Sequence, residues 1–401
     1  MHPNFTPALD NFAFDKNWIL DRMLFISGPR QIGKTTFIKN KISTIGGSYY
    51  NWDNPDVRLA YNKSSSFFVD KTKAHSLVVF DEIHKRNKWK DILKGIYDVH
   101  KTNYRFVVTG SARLDTFKRS GDSLVGRYFT THMFPISPNE LQGLDFKEFS
   151  CAHEFINVMR SECGVQKNIS NDLISLGGFP EPFFTGSVSF WRRWQKQYQD
   201  LLIQEDLRDL SNIQRLDSIE LLVNLLKQKV SSTVSYNSLV NDLQADNKSI
   251  KSWIAQLEKL MMVFSIKPWS KQINKSFRKN PKIYFYDWTL VSEPGARFEN
   301  FLALQIFRTL TLWNDRFGYD FELFFIRDYN DNEVDFCISL NSKPWLLIES
   351  KLGSPRPSSS LNKIKATLGV PSIIVTNERN WNTFMDDNYI VDIDRFLAVL
   401  S

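Results

Sequence analysis

The sequence predicts an α/β fold built as a parallel-sheet domain, a helical middle and a second α/β domain. Three observations predict it. "MLFISGPRQIGKTTF" runs from an apolar strand through a Gly-bearing loop into a helix; two further apolar runs, "SLVVFDEIHK" and "YRFVVTGS", each follow a helical stretch; and "EVDFCISLNSKPWLLIESK" reads as two short strands carrying carboxylates and a lysine. At 401 residues the chain exceeds the roughly 250–300 residues at which single cores stop growing. Modules are expected over 1–145, 146–230, 231–285 and 286–401.

The first loop spaces Gly28, Pro29, Arg30, Gln31, Ile32, Gly33, Lys34 and Thr35 as G-x-x-x-x-G-K-[ST], the P-loop, with Thr36 next along the helix. Its glycines permit a tight turn whose N–H groups face phosphate oxygens. Lys34 supplies a point charge to the β and γ oxygens, and the Thr35 hydroxyl can ligate Mg²⁺. The helix that follows adds the positive end of its dipole. ATP or ADP and Mg²⁺ are the expected ligands.

In "SLVVFDEIHK" a continuous apolar run suits a strand buried on both faces, and it delivers Asp81 and Glu82 at its C-terminal end. Asp81 is expected to hold Mg²⁺ through water, and Glu82 to orient or deprotonate the attacking water. "YRFVVTGS" ends in Thr109, Gly110 and Ser111. It resembles the sensor strand of AAA-type ATPases, in which a polar residue beside the carboxylates helps to place the water, and Ser111 is the candidate. Positive charge near the γ-phosphate falls to Arg127 in "SGDSLVGRYF", with Arg113 and Arg119 as rivals. Each is either an arginine finger, in cis or from a neighbouring subunit of a homo-oligomer, or a solvated surface arginine.

The succession of the P-loop, "VVFDEIHK", "VVTGSARLD", "LVGRYFTTHMFPISPNEL" and "LGGFPEPF" resembles a large prokaryotic family of AAA-type ATPases that carry a C-terminal domain of poorly known function. The likeness covers nearly the whole chain. Pro135–Leu141 and Gly177–Pro182 are more particular to that family than the phosphate-binding residues. Physically, the second stretch reads as a Gly/Pro turn joining modules.

From Val188 to Leu226 the apolar spacing is helical, with Trp191 and Trp194 expected in its core. "SYNSLVNDLQADNKSIKSWIAQLEKLMMVFSIKPW" then gives a helix, a turn at Asp246-Asn247, a second helix and a strand, which is helix-turn-helix syntax and predicts a winged helix. Lys248, Lys251, Lys259, Lys267, Lys271, Lys275, Arg278, Lys279 and Lys282 face a single acidic residue, Glu258, over this stretch. Such a run suits phosphate contacts with DNA. It suits a solvated face or a protein-contact module as well.

At the C-terminus Val334, Phe336 and Ile338 alternate with Asp335 and Cys337, as in a half-buried strand, and Glu349 and Lys351 share a face of the next. Asp335 and Glu349 are expected to converge on Mg²⁺ or Mn²⁺, with Lys351 polarising a phosphate. Together with upstream Glu299 they resemble the PD-(D/E)xK nuclease core, α-β-β-β-α-β, with "VPSIIVTN" as a further strand. The same residues also suit a surface ion pair, or a nuclease-like fold that binds without cutting.

The composition is compatible with this plan: 42% hydrophobic and 24% charged residues are ordinary globular values. No apolar run reaches the ~18 residues of a membrane span, the N-terminus lacks a secretory pattern, and a cytoplasmic protein with no membrane partner is expected. Cys151, Cys163 and Cys337 are too few and too widely spaced for a disulfide framework or zinc site, and buried free thiols are expected. The sequence therefore points to an ATP-hydrolysing, DNA-engaging protein with a Mg²⁺-dependent nuclease site. The alternative is a regulatory or scaffold ATPase whose C-terminal domain binds DNA or protein without cutting.

Overall fold

A computed structural model describes residues 7, 9–10, 14, 22–70, 76–110, 124–144, 147–161, 164, 166–210, 216–270 and 280–400. The chain divides into two compact units, Met1–Phe134 and Pro135–Ser401.

In the first unit, β1 (Met23–Ser27), α1 (Lys34–Ile45), β2 (Gly47–Asn51), α2 (Pro55–Lys63), β3 (Ser76–Asp81), α3 (Trp89–His100), β4 (Tyr104–Thr109) and β5 (Tyr128–His132) follow in order. The sheet order is β2-β3-β4-β1-β5, and every pairing is parallel. Strands of such a sheet are covered on both faces, which is why Met23–Ser27 is buried throughout and Leu77–Asp81 is too. β4 lies between β1 and β3, so the order reverses beside the loop that leaves β1, where open α/β sheets bind their ligands.

In the second unit, α4 (Pro138–Gln142), α5 (Ala152–Ser161), α6 (Lys167–Leu176), α7 (Pro180–Thr185), α8 (Val188–Asp200) and α9 (Leu207–Leu210) come first. Trp194 is buried as expected; Trp191 is half-buried and donates its indole N–H to Thr289. The Gly177-Gly178 pair packs onto the turn at 287–289: a Cβ on Gly178 would lie 2.7 Å from the Trp288 ring and 2.8 Å from Pro135 Cβ. Gly178 also accepts a hydrogen bond from Ile136 N–H. The two stretches singled out by the family resemblance are therefore packed against each other inside this unit.

Helices α10 (Leu216–Gln228), α11 (Tyr236–Leu243) and α12 (Asn247–Lys259) lead into the antiparallel hairpin of β6 (Val263–Pro268) and β7 (Lys282–Phe285). Asp246 caps α12 by accepting from Ser249 N–H at 2.9 Å. Ile250, Trp253, Ile254 and Leu257 form its buried stripe. The hairpin is not a separate module, because β6 pairs in parallel with the next strand, β8 (Phe321–Arg327).

The long helix α13 (Pro294–Phe317) precedes β8, followed by β9 (Glu333–Leu340), β10 (Lys343–Lys351), α14 (Ser359–Leu368), β11 (Ser372–Thr376), β12 (Asn382–Met385), β13 (Asn388–Asp392) and α15 (Ile393–Val399). The mixed sheet runs β12-β13-β11-β10-β9-β8-β6-β7. Leu347 and Cys337 pack with Leu361 and Ile364 of α14. Phe336 instead meets the ring of Tyr284, which bonds to Glu299 on α13, so the two helices cover opposite faces. Cys337 is buried, but Cys151 is exposed, against expectation, and Cys163 lies outside the described residues. Among the described residues no helix is long and apolar enough to cross a membrane.

Candidate nucleotide site and the C-terminal carboxylates

Three strand ends meet at one level of the parallel sheet. The P-loop leaves β1, Asp81 ends β3, and Thr109 ends β4 in register with both Asp81 and Ile26. Gly28 is required by close approach, since a Cβ there would stand 2.4 Å from the Met133 carbonyl oxygen. Gln31 (φ 59) and Gly33 (φ 97) take left-handed conformations that fold the loop back on itself. Ile32 is buried beneath it, while Gln31 and Thr36 are exposed.

Lys34 is buried, and its ammonium donates to the Gly28 and Pro29 carbonyls at 2.7 Å each. The Thr35 hydroxyl donates to Asp81 Oδ2 at 3.0 Å, and Thr109 donates to Asp81 Oδ1 at 2.6 Å. Tyr49, on the neighbouring strand β2, also donates to Asp81 Oδ2. Burial, then the bond to the Asp81 carboxylate, raises the pKa of the Tyr49 phenol and keeps it a donor. Tyr49 and Thr109 are absent from the site expected from sequence. The oxygen donors Thr35 and Asp81 fit Mg²⁺, which takes one or two protein ligands beside phosphate oxygens.

Glu82 adopts φ 58, a conformation uncommon for a non-glycine residue and frequent at functional sites. Burial raises its pKa, opposed by Lys85 at 3.5 Å, which in turn pairs with Asp53 at 2.7 Å. Ser111, Arg113 and Arg119 lie outside the described residues. Of the roles open to Arg127, the arginine finger in cis is the one its position does not favour. It immediately precedes β5 and pairs with Asp98, near the end of α3, through bonds of 2.8 and 3.0 Å. Because Tyr128 is in register with Met23, Arg127 stands at the start of the parallel strands, whereas the P-loop leaves their far end.

The C-terminal residues are arranged differently from the sequence expectation. Glu349 Oε1 and the Lys351 ammonium pair at 2.8 Å on one face of β10, and Glu349 Oε2 accepts from the Ser358 hydroxyl at 3.1 Å. Asp335 does not join them. It accepts from Ser350 N–H and Ser350 Oγ, both at 2.8 Å, and the Ser350 side chain points to the opposite face from Glu349 and Lys351. The cause is a bulge: Phe324 pairs with Cys337 and Ile326 with Val334, so one residue of β8 stands opposite Asp335 and Phe336. The extra residue on β9 resets the alternation, and Val334 and Cys337 enter the same core.

On the α13 side, Lys282 is the residue that sequence reasoning misplaced. Read as one of a basic run, it is buried, with its ammonium 2.7 Å from Glu333, 3.2 Å from Glu299 and 4.0 Å from Asp335. Burial opposes its charge, but Glu299, Asp335 and Glu333 outweigh it and raise its pKa. Burial, then Asp335, pushes the Glu299 carboxyl up to about 7, against the pull of Lys282 and Tyr284. Among the described residues no group of three His, Cys, Asp or Glu side chains is placed to hold a metal ion. The arrangement therefore does not provide the shared metal centre expected of Glu299, Asp335 and Glu349.

Comparison with known proteins agrees with the first unit. Residues 20–142 match the AAA_14 family, described as an AAA domain, and residues 168–293 match DUF8612, a domain of unknown function. The uncharacterized proteins Rv2008c of Mycobacterium tuberculosis and Mb2031c of Mycobacterium bovis are each 20% identical over 368 residues, covering 88% of this chain and 76% of theirs. Among solved structures, the Aeropyrum pernix Orc1 protein in complex with DNA is 12% identical, covering 76% of this chain and 95% of that one, with a TM-score of 0.32. A Thermotoga maritima RuvB variant is 16% identical, covering 64% and 85%, with a TM-score of 0.28. The N-terminal unit is a parallel α/β sheet with a P-loop, within a stretch that matches an AAA domain, and the C-terminal unit is α/β with a mixed sheet.

Proposed function

We propose that this chain is a Mg²⁺-dependent ATPase that engages DNA through its C-terminal unit. The observation that carries the ATPase reading is the meeting at Asp81, where hydroxyls from α1 and β4 hold one carboxylate at the loop end of the sheet. On nucleotide binding the Lys34 ammonium exchanges the Gly28 and Pro29 carbonyls for β and γ phosphate oxygens. Thr35 and Asp81 would hold Mg²⁺, which neutralises charge on the phosphates when bound. Glu82, its basicity raised by burial, positions the attacking water and accepts its proton. As an arginine finger Arg127 would act on a neighbouring copy, and this reading therefore carries a homo-oligomer with it.

The test is phosphate release by the purified chain with ATP and Mg²⁺. Lys34→Ala and Glu82→Gln are each expected to lower turnover by roughly two orders of magnitude, the scale of deleting a preorganised catalytic contact. Undiminished turnover in Lys34→Ala would remove the reading.

For DNA, the two helices α11 and α12 followed by a hairpin, with Thr233 bridged to Lys282 at the hairpin's edge, support the winged-helix reading of residues 231–285. Lys248, Lys251 and Lys259 are exposed on the face of α12 opposite its buried stripe, and exposed Lys267 lies on β6. Lys271, Lys275, Arg278 and Lys279 lie outside the described residues. Replacing the three α12 lysines with alanine is expected to flatten the dependence of log affinity on log salt by roughly one per lysine. A partner-binding scaffold predicts no such slope in the parent chain.

Nuclease activity is a second reading, favoured by the Glu349–Lys351 pair and the α-β-β-β-α-β order that begins with α13. It needs DNA cleavage with Mg²⁺ or Mn²⁺ that Glu349→Ala abolishes and Lys34→Ala leaves in place.

A further inference from the structure

We propose that the acidic cluster of the C-terminal unit is a lysine-centred ion cluster with Lys282 as its built-in cation, so that Glu299 and Asp335 hold no divalent ion. The inference rests on the geometry of this unit alone and is independent of the ATPase reading.

Two of the ammonium's three donors have carboxylate partners within hydrogen-bond distance. An ammonium has three N–H donors; Glu333 at 2.7 Å and Glu299 at 3.2 Å lie within hydrogen-bond reach, and Asp335 at 4.0 Å completes the surrounding charge. Tyr284 donates to Glu299 Oε1 at 2.6 Å, and Arg327 approaches Glu333 at 3.7 Å from the other side. Asp335 Oδ2 is occupied by Ser350. The carboxylates are therefore spaced around a nitrogen, and Glu299 Oε1, Glu333 Oε1 and Asp335 Oδ2 each already have a donor.

A divalent ion placed between Glu299 and Asp335 would have to share them with an ammonium whose side chain is 1% exposed. Like charges so far from water repel strongly. A hard cation also asks for about six oxygens in near-ideal arrangement, which the cluster does not offer.

The topology says what the ion cluster does instead. Lys282 sits on β7 and bridges Thr233, Glu299 comes from α13, and Glu333 and Asp335 come from the bulged end of β9. One cation thus ties β7, at the edge of the mixed sheet, to α13 and to β9 further into the sheet. Any DNA bound by the α12 surface is held by a unit whose α13-side carboxylates are structural and do not cleave it.

The test uses the full-length Lys34→Ala chain, in which the nucleotide site is disabled, titrated with Mn²⁺ and followed by electron paramagnetic resonance. The expected result is no bound Mn²⁺ that Glu299→Gln or Asp335→Asn removes. Stoichiometric Mn²⁺ lost in either variant overturns the proposal. Lys282→Met is expected to lower Tm by roughly 5 °C or more, with part of the loss recovered on adding Glu299→Gln. An unchanged Tm in Lys282→Met would equally overturn it, and a variant that fails to fold leaves the Mn²⁺ titration decisive.

Discussion

Thr35 Oγ1 and Asp81 Oδ2 stand 3.0 Å apart, and the Tyr49 phenol donates to that same oxygen. The first contact joins the helix of the P-loop to the buried strand β3; the second ties both to β2. A carboxylate held by three hydroxyls has little freedom to swing when a metal arrives.

Tyr49→Phe removes one of these donors while keeping the ring. Hydrogen bonds to charged groups contribute about 1.5–3 kcal/mol, and about 1.4 kcal/mol is tenfold in rate. Turnover of ATP is expected to fall about tenfold, with KM for ATP within a factor of about two, because the phenol meets Asp81 and not the phosphates. Steady-state kinetics decide it: a raised KM at unchanged kcat would show that Tyr49 acts in nucleotide binding.

Which of these contacts the sequence discloses follows from how far they reach. Lys34 and Thr35 are legible because the loop's chemistry is contained in consecutive residues, and Asp81 because an apolar run must end where the strand leaves the core. Tyr49 is not, since its role depends on the register of β2 against β3. Asp335 misled for a related reason: alternation assumes a regular strand, and the bulge opposite Phe325 is set by pairing across β8. Lys282 looked like its basic neighbours because nothing local marks the residue that a hairpin will carry into a carboxylate cluster. Arg127 is adjacent in sequence to a Gly-bearing loop, yet a parallel strand begins there, which places it away from the phosphates.

Glu140 and Arg308 form a buried pair at 3.0 Å, in which the carboxylate of a capping box at the start of α4 meets the middle of α13. Burial lowers the Arg308 pKa and Glu140 counters it. Removing one partner leaves the other charge buried, which costs about 3–5 kcal/mol. Arg308→Met is expected to destabilise by that amount, and adding Glu140→Gln should recover part of it. Urea unfolding of both singles and the double variant measures the coupling; simple additivity would show that the pair does not interact.

Gly178→Ala tests the packing of the Gly-Gly stretch. The new methyl would meet Trp288, Pro135 Cβ and Ile136 N at 2.7 to 3.0 Å, none of them the tip of a flexible chain. Overpacking of this kind costs typically about 1–3 kcal/mol. Thermal unfolding should show a lower Tm, while Gly186→Ala, with nothing within 4 Å of its Cβ, reports only the strain of a positive φ. A larger loss at Gly186 than at Gly178 would contradict the packing argument.

Asp287 supplies a pH dependence. It is buried and accepts from Thr289 N–H at 3.1 Å and from Gln195 at 3.3 Å. Burial raises its pKa, while the bonds from Thr289 and Gln195 and the charge of Lys227 pull the other way without cancelling the rise. A raised folded-state value means that the native chain binds this proton more tightly than the unfolded chain. Its contribution is therefore fully present below the ordinary aspartate pKa of about 3.9 and is lost as pH rises through the higher native value, by at most about 1.4 kcal/mol per pH unit. Asp287→Asn keeps an acceptor for Thr289 and has no proton to lose. The stability of the variant relative to the parent is thus expected to increase with pH above about 4, read as the difference in urea midpoints across a pH series. A difference that stays flat, or falls, would mean that Asp287 is ionised in the native state at no cost.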